Sequence, residues 1–552
     1  MSSLRIVGGH VYDPANGIDG EARDICIDDG RIVAEVPSSA PRLDATGMVV
    51  MPGGVDMHCH VASGAVNVAR RLLPEDHSAD PATAPSLVDS PDWQARSGVG
   101  GAVPSTFTTG YRYAGLGYTT VFDAAVAPLV ARSAHAQLDD TPIVDGGFYA
   151  LLGNDEYLLQ LIDAGDRERA REYAAWVLGA TGAYAVKIVN PGGVERWKQG
   201  ARDRTDLDSA LGGSRVTPRA ILETLVDAAN ALGLPHPAHI HCNNLGLPGN
   251  AATTLATMAA LEGRRAHFTH LQFHSYGAAA DGRWRSAARE IIEYVNDHPS
   301  LSADVGQVMF GSAVTLTADA PVEYLLHRSS GRKWVNLDIE LETGCGVVPH
   351  EYRDRNAVAA LQWAVGLELF LLASDPWRVV LSTDHPNGGS FMSYPTLIRL
   401  LMDRTYRDEQ LARVDQRLLA GSALTDGLTR EYTLAEIAII TRAGPARLLG
   451  LTMKGHLGVG ADADITIYEH DEDRARMFST PRYVLKGGIL VVEEGQLRRA
   501  PPGHRLHVRP PFDRSVTRDI RAYFDAYGTV RFANFPVSDL RDAPLALTAG
   551  AR

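Results

Sequence analysis

Cysteine is scarce in this chain: the 552 residues include only Cys26, Cys59, Cys242 and Cys345, and no two of them form a C-x-x-C pair. Neither an iron–sulfur cluster nor a disulfide framework is therefore expected. The sequence also lacks a basic leader followed by an apolar stretch, and no uncharged apolar run is long enough to span a bilayer. We expect a cytoplasmic protein that does not associate with membranes.

An excess of positive charge is absent as well. The chain has 53 lysine and arginine residues against 66 acidic residues, which gives a formal net charge of -13. This balance argues against nucleic-acid binding through phosphate neutralisation. The length suits one large domain with additions, or two or three domains of ordinary size.

Three patterns of secondary structure follow one another along the chain. Short alternating strand segments occupy residues 1–48, and strands with turns return at 449–500. Between them, over 49–448, β-branched runs alternate with Ala- and Leu-rich helical stretches, which predicts βα units around a parallel sheet and a length that suits a barrel with insertions. The two flanking β segments can pair into one second domain. The composition of residues 74–115 predicts a long loop. Residues 501–552 are expected to form an extension that either wraps around a neighbouring subunit or is a loose end.

The first candidate functional motif is the pair His58 and His60, which follows an apolar run. Residues two apart on a strand point to the same face, so both imidazoles can converge on one ion. Neutral imidazole is a preferred ligand of zinc and its neighbours. Such a pair alone is more often part of a core than a metal site, so the rest of the chain has to decide.

Polar residues also interrupt later apolar strands. Lys187 stands inside a strand that ends at Asn190, and a buried ammonium must be paired, neutralised or chemically modified. His239 and His241 share one face of the next strand, and His241 is the better ligand because it lies nearer the strand end. By the same argument His270 is favoured in the following strand.

The series ends with Asp384, an acid that follows an apolar run and can both bind a metal and accept a proton. Two histidines, a lysine, two histidines and an aspartate in this order are improbable together by chance. The set fits two divalent ions bridged by a carbamate of Lys187 and carbon dioxide. Such a pair of ions lowers the pKa of a shared water and polarises a carbonyl oxygen.

This order of residues resembles the amidohydrolase superfamily, an α/β class of (β/α)8 TIM barrels with a composite β-sandwich domain. Four segments resemble, more narrowly, the A subunits of formylmethanofuran dehydrogenases and of bacterial formyltransferase/hydrolase complexes. They are residues 68–77, 105–114, 239–246 and 383–389, the last reading Thr-Asp-His-Pro-Asn-Gly-Gly. The resemblance covers most of the chain and thins after residue 500, and the Ala- and Arg-rich composition favours the bacterial version.

The resemblance implies a site and a reaction. His58 and His60 would hold one zinc ion, and His241 and His270 the other. Carboxylated Lys187 would bridge the two ions, and Asp384 would ligate the first. The bridging hydroxide would attack the formyl carbon of an N-formyl furfurylamine cofactor of the methanofuran or methylofuran type. Asp384 would act as general base and then as general acid, so that formate and the free amine are released.

The resemblance also implies partners and a substrate site. The partners would be the other subunits of a formyltransferase/hydrolase complex of one-carbon metabolism. Residues expected near the substrate are Asn243, Asn244, His274, His385 and Asn387, with Arg196 and Lys198 for an acidic tail. Each of them can instead shape a loop or form solvated ion pairs.

Two other hypotheses remain open. A cyclic-amide hydrolase of the hydantoinase or dihydropyrimidinase kind shares the same order of ligands, and it would turn over dihydrouracil. A noncatalytic scaffold would keep the barrel without the chemistry, although the complete set of ligands speaks against it.

Overall fold

A computed structural model describes residues 3–72, 102–201, 203–279, 282–317, 319–336, 346–419, 422–425, 427–545 and 547. Its strands, numbered along the chain, are β1 (Leu4–Asp13), β2 (Ile18–Asp28), β3 (Arg31–Val33), β4 (Arg42–Asp44), β5 (Val49–Pro52), β6 (Gly54–Cys59), β7 (Tyr118–Val126), β8 (Asp145–Leu151), β9 (Ala185–Val189), β10 (Ala238–His241), β11 (Ala266–Phe268), β12 (Tyr276–Ala278), β13 (Trp284–Ser286), β14 (Leu301–Asp304), β15 (Gly311–Thr317), β16 (Val335–Asn336), β17 (Gly346–Tyr352), β18 (Val379–Val380), β19 (Ile465–Tyr468), β20 (Tyr483–Lys486), β21 (Ile489–Glu493) and β22 (Gln496–Leu497).

Eight of these strands form one parallel sheet in the order β6-β7-β8-β9-β10-β11-β14-β18. A parallel bridge between Cys59, at the end of β6, and His385, just after β18, joins the two edges. There the backbone N–H of His60 donates to the carbonyl of His385 at 2.7 Å. The sheet is therefore a closed barrel, as the alternation of βα units predicted.

Helices follow most of the barrel strands and cover the outside of the barrel. The α-helices are Gly64–Leu72, Thr106–Gly115, Ala131–Asp139, Glu156–Asp163, Arg167–Thr181, Gly193–Lys198, Pro218–Ala231, Ala251–Ala260, Ala288–Asp297, Ala320–Ser330, Ala357–Leu372, Tyr394–Met402, Arg404–Leu411, Leu434–Ala438, Gly444–Leu449, Arg474–Ser479 and Thr517–Tyr527. Within the described ranges, no helix combines the length and the apolar character needed to cross a bilayer.

Helix Pro218–Ala231 illustrates how the sequence determines these elements. The Thr217 side chain accepts a hydrogen bond from the backbone N–H of Ala220, and proline occupies the first turn, where its missing N–H has no cost. Ile221 and Leu225, four residues apart, are fully buried on the face that packs against the barrel.

A second, nine-stranded sheet is built from both ends of the chain. Its order is β22-β21-β20-β19-β5-β1-β2-β3, with β4 paired to β1. The two parts meet where β19 pairs antiparallel with β5, with Thr466 opposite Met51. This pairing confirms the predicted composite β domain. The boundaries drawn at residues 48, 448 and 500 stay predictions.

One expectation about the segment 74–115 was wrong. Residues 106–115 form a helix, whereas residues 73–101 lie outside the described part of the chain. The Ser105 side chain caps this helix by accepting from the N–H of Thr108, and Phe107 and Tyr111 pack with the C-terminal strands β20 and β21. Tertiary packing thus outweighs the low helix propensity of the threonines and the glycine in this stretch.

The C-terminal extension packs against its own barrel over its described residues, so it is not a loose end. The ring of Trp176, on a barrel helix, stacks on Phe532 and Phe535 with centroid distances of 5.6 and 5.2 Å. Arg505 forms a parallel bridge with Gly146 of β8. Stacked aromatic pairs of this kind add to the burial of apolar surface.

A buried ion cluster joins the barrel to the composite sheet. Lys486 Nζ lies 2.6 Å from the Asp145 carboxylate and 2.7 Å from that of Asp464, and Lys454 contacts both acids. Burial alone raises the pKa of the two carboxyls, but the ammonium groups outweigh this effect and hold the pKa of each below its usual range. Both acids are therefore ionised at neutral pH.

We expect Lys486→Met to lower the free energy of unfolding by about 3–5 kcal/mol at pH 7, because two buried carboxylates would then share one lysine. Lys198→Met is the control: this more exposed lysine should contribute about 1 kcal/mol or less. Denaturant titrations measure both. Because the carboxyl pKa values are depressed in the folded state, the stability that the ion contacts of Lys486 contribute is fully present above the unfolded-state pKa of about 4 and should decline progressively as the pH falls below that value. Equal effects of the two substitutions would contradict this interpretation.

Candidate active site

The six residues predicted as metal ligands all line one cavity at the carboxyl end of the barrel strands. His58 lies in β6 and His60 directly follows it. Lys187 lies in β9 and His241 ends β10. His270 and Asp384 follow β11 and β18. Active sites of such barrels gather at this end because the loops that follow the strands meet there.

Two of these residues have an unusual backbone. His270 and Asp384 adopt left-handed conformations, with φ of 35° and 50°, which cost of order 1–3 kcal/mol each. The N–H of His270 donates to Asp304 at 3.0 Å. Gly306 leaves room for this turn, since a Cβ at residue 306 would lie 2.3 Å from that of His270. The strain redirects both side chains at the point where their strands end.

His58, His60 and Asp384 form the first ligand group. Asp384 Oδ1 lies 2.9 Å from His58 Nε2 and 3.2 Å from His60 Nε2. Burial alone raises the pKa of Asp384, but His270 and His58 outweigh it and keep this pKa well below its usual range. The acid is therefore ionised, and the group offers two imidazoles and a carboxylate to a single ion.

His241, His270 and His274 form a second group that could hold an ion. The ring centroid of His241 lies 4.7 Å from that of His270 and 5.1 Å from that of His274. Burial lowers the pKa of all three well below the ordinary value, so they are neutral. Among the described residues, His241 Nε2, His270 Nδ1 and both ring nitrogens of His274 have no hydrogen-bond partner. Sequence reasoning placed His274 at the substrate, whereas here it also completes a set of possible ligands.

Lys187 is only 1 % exposed, and its Nζ has no hydrogen-bond partner within the described part of the chain. Burial lowers its pKa to about 8, although Asp384 and Asp304 act in the opposite direction. About a tenth of this lysine is therefore the uncharged amine at pH 7, far more than for an ordinary lysine. These unpartnered nitrogens, together with the ionised Asp384, fit a pair of divalent cations and a lysine modified to an anion.

The other predicted residues have varied surroundings. Asn387 lines the cavity, and its Nδ2 donates to Asp384 Oδ1 at 2.8 Å. Asn243 donates to Asn190 at 2.9 Å, Asn244 donates to the carbonyl of Thr205 at 3.0 Å, and the ring of His385 packs on Phe391. These three have the contacts of loop-shaping residues, and their role in substrate binding stays a prediction.

The two predicted basic residues are paired with neighbouring acids. Arg196 lies 3.0 Å from Asp203, and Lys198 lies 2.6 Å from Glu195 and 3.1 Å from Glu156. Neither basic residue lines the main cavity. Their contact with a substrate tail stays a prediction.

A buried polar layer beneath the ligands escaped the sequence reasoning. Asp304 ends β14 and accepts from the backbone N–H of His270, and its other oxygen lies 3.1 Å from His267 and 3.3 Å from His58. An acid at the end of an apolar strand was the signal that identified Asp384, and the same signal was available here. The partners of His267 could not be inferred, because they lie on other strands.

The cavity has a volume of about 480 Å³. Its outer part is covered by helix Ala320–Ser330 and by the sheet of β15 and β17. Its apolar lining includes Leu151, Leu245, Phe273, Val322, Leu325 and Val358. A polar centre beneath an apolar chamber suits a ligand with one reactive polar group on an apolar body.

A βα barrel with imidazoles, a lysine and an aspartate at its strand ends has the architecture of metal-dependent hydrolases. The chain belongs to the amidohydrolase family, which matches residues 43–492.

Individual relatives resemble it over nearly its whole length. Protein FwdA of Methanocaldococcus jannaschii is 44% identical over 97% of this chain and 96% of its own. The A subunit of the formyltransferase/hydrolase complex Fhc of Methylorubrum extorquens is 41% identical over 95% of this chain and 94% of its own. A chain in the crystal structure of that organism's formyltransferase/hydrolase complex with methylofuran superposes with a TM-score of 0.92 at 39% identity, covering 99% of this chain and 100% of the other. These similarities confirm the family resemblance seen in the sequence.

We expect Asn387→Ala to weaken the binding of added zinc at the predicted ligands by about 10–100-fold, because it removes the hydrogen bond that orients Asp384. Competition with a chelator measures the affinity. Asn250→Ala is the matched control, a buried asparagine with ordinary backbone angles whose side chain bonds to the backbone of Asn244, Phe273 and Tyr276. A control that loses zinc as readily as Asn387→Ala would show that the effect is general destabilisation.

Proposed function

We propose that this chain is the hydrolytic subunit of a formyltransferase/hydrolase complex. It would cleave an N-formyl furfurylamine carrier of the methanofuran or methylofuran type into formate and the free amine. The observation that carries this proposal is the convergence of unpartnered buried nitrogens and Asp384 at the base of an apolar cavity. Support comes from a relative, 41% identical, that is the A subunit of such a complex.

The ligand set divides between two zinc ions in this proposal. His58, His60 and Asp384 would hold one ion and His241 with His270 the other, while N6-carboxylated Lys187 would lie between them. When bound, two such ions would supply a water of lowered pKa and a positive charge near the formyl oxygen.

Asp384 would carry the proton. The described hydrogen bonds and ion pairs to its carboxylate, from His58, His60 and Asn387, all engage Oδ1, so Oδ2 can take a proton from the attacking water. As the new C–O bond forms and the C–N bond breaks, the same carboxyl would give that proton to the departing nitrogen. This transfer gives the neutral amine and formic acid, and the acid proton of formic acid then passes to the amine, so that the products are formate and a protonated amine. No covalent enzyme intermediate is required.

The apolar cavity would bind the furan end of the carrier, away from bulk water. Arg196 and Lys198 would exchange their present acidic partners for an acidic tail of the carrier. The other subunits of the complex would be the partners of this chain, in a cytoplasmic assembly.

We expect Asp384→Asn to reduce formate release from the N-formyl furan carrier by about 100-fold or more, because a positioned general base contributes roughly this much. Formate is measured with the full chain, alone and with co-expressed partner subunits. Glu368→Gln is the control: it neutralises another buried carboxyl, which hydrogen-bonds Ser286 and Ser422 away from the cavity.

The same assay separates the alternatives. Equal rates for the unchanged chain and Asp384→Asn would remove Asp384 from the mechanism. Turnover of dihydrouracil in place of the formamide would favour a cyclic-amide hydrolase. Less than about one metal ion per chain, with no carboxylated Lys187, would favour a noncatalytic scaffold.

Substrate binding can be tested at the cavity wall. Leu325 lines the cavity, and Leu325→Glu should raise the KM for the formylated carrier about tenfold, since apolar contact worth about 1.4 kcal/mol is lost. Ser330→Glu places the same charge on the same helix outside the cavity and should leave the KM unchanged.

If the acidic tail binds as proposed, replacing Arg196 and Lys198 with alanine also raises the KM without changing the metal content, and an unchanged KM would end that assignment.

A further inference from the structure

Three buried histidines form a hydrogen-bonded line that ends at the predicted ligand His58. His236 Nδ1 lies 2.9 Å from the backbone carbonyl of Leu448. His236 Nε2 lies 2.9 Å from His239 Nδ1, and His239 Nε2 lies 2.9 Å from His58 Nδ1. All three histidine side chains are fully buried. The line therefore runs from a carbonyl behind the barrel to the active site.

The direction of these hydrogen bonds is determined at the Leu448 end. A carbonyl can only accept, so His236 Nδ1 carries the proton. A neutral imidazole has one donor and one acceptor, so His236 Nε2 accepts from His239 Nδ1. His236 packs between the rings of Tyr149, His239 and His267 and has no ion pair among the described residues. By the same rule, His239 Nε2 then accepts from His58 Nδ1.

The surroundings of His58 agree with this direction. Asp304 lies 3.3 Å from His58 Nδ1, and the Thr269 hydroxyl also contacts this nitrogen. An ionised carboxylate only accepts hydrogen bonds, so the proton belongs on Nδ1. The lone pair of Nε2 then faces the Asp384 carboxylate at 2.9 Å, which is repulsive unless a metal ion or a second proton lies between the two groups.

We propose that His236 and His239 are positioning residues. Because the Leu448 carbonyl accepts from His236, each ring presents an acceptor to the next one, and this keeps the proton of His58 on Nδ1. Nε2 is then the nitrogen presented to the metal. This inference rests on the proposed function, because it takes His58 as a ligand. Partners of a ligating histidine commonly fix its tautomer and ring orientation. Here the partner is a relay of two neutral rings, and its outer member touches no predicted ligand of the metal.

Three substitutions separate the parts of the relay. His236→Asn keeps a donor for the Leu448 carbonyl but removes the acceptor for His239. His239→Leu removes the acceptor for His58, and His239→Gln restores one at about the same place. Zinc content per chain and zinc affinity, by competition with a chelator, are measured on the full chain.

We expect His239→Leu and His236→Asn to lower the affinity of the ion at His58 by about tenfold or more, with the ion at His241 and His270 retained. His239→Gln should stay within a few-fold of the unchanged chain. The control is His135→Leu, which removes another buried histidine, bonded only to the Thr181 carbonyl at 2.9 Å among the described contacts. This control should lower the melting temperature without altering zinc affinity.

Unaltered zinc affinity in both His236→Asn and His239→Leu, in chains that melt normally, would overturn the relay. Should His239→Leu fail to fold, His236→Asn still decides, because it preserves the contact with Leu448. If the unchanged chain binds zinc and produces formate, and the relay variants bind zinc just as tightly, then only the relay is overturned. An unchanged chain that binds no metal would overturn the proposed function together with the relay.

Discussion

The closure of the barrel is the contact on which the site depends. The N–H of His60 donates to the carbonyl of His385, which joins the first and last strands of the parallel sheet. His60 is itself a member of the first ligand group and follows His58 by two positions, and His385 directly follows the third member, Asp384. The hydrogen bond that closes the cylinder therefore also brings two imidazoles against a carboxylate. A barrel that failed to close would separate the two halves of the first ligand group.

The site combines several features that a stable core would avoid. Lys187 is buried without a hydrogen-bond partner among the described residues, and His270 and Asp384 hold left-handed backbones. Unpartnered buried polar groups cost about 1–3 kcal/mol each, and they persist only where surrounding structure holds them. That structure is the barrel wall together with the polar layer around Asp304. The concentration of such features at one cavity distinguishes a functional site from ordinary packing.

Much of this architecture could be predicted from the sequence, because barrel strands have short, regular patterns. A period of two placed His58 and His60 on one face, and the ends of apolar runs pointed to His241 and Asp384, all of which line the cavity. Contacts between strands could not be inferred in the same way. The partners of Asp304 and the line of histidines behind His58 depend on which strands are neighbours and on their register, and no local pattern encodes either. The helix at 106–115 was missed because its stability comes from packing against strands near the other end of the chain.

The composite sheet has a consequence for the order in which the protein can be completed. During synthesis β1 to β5 emerge first, but the partner of β5 on its open side is β19, which follows the whole barrel in the chain. Until then the edge of β5 presents unpaired backbone groups, which are a template for unwanted association. A nascent or prematurely terminated chain would therefore expose the unpaired edge of β5 next to an otherwise folded barrel. The strands made last, beginning with β19, also protect this edge from association with other chains.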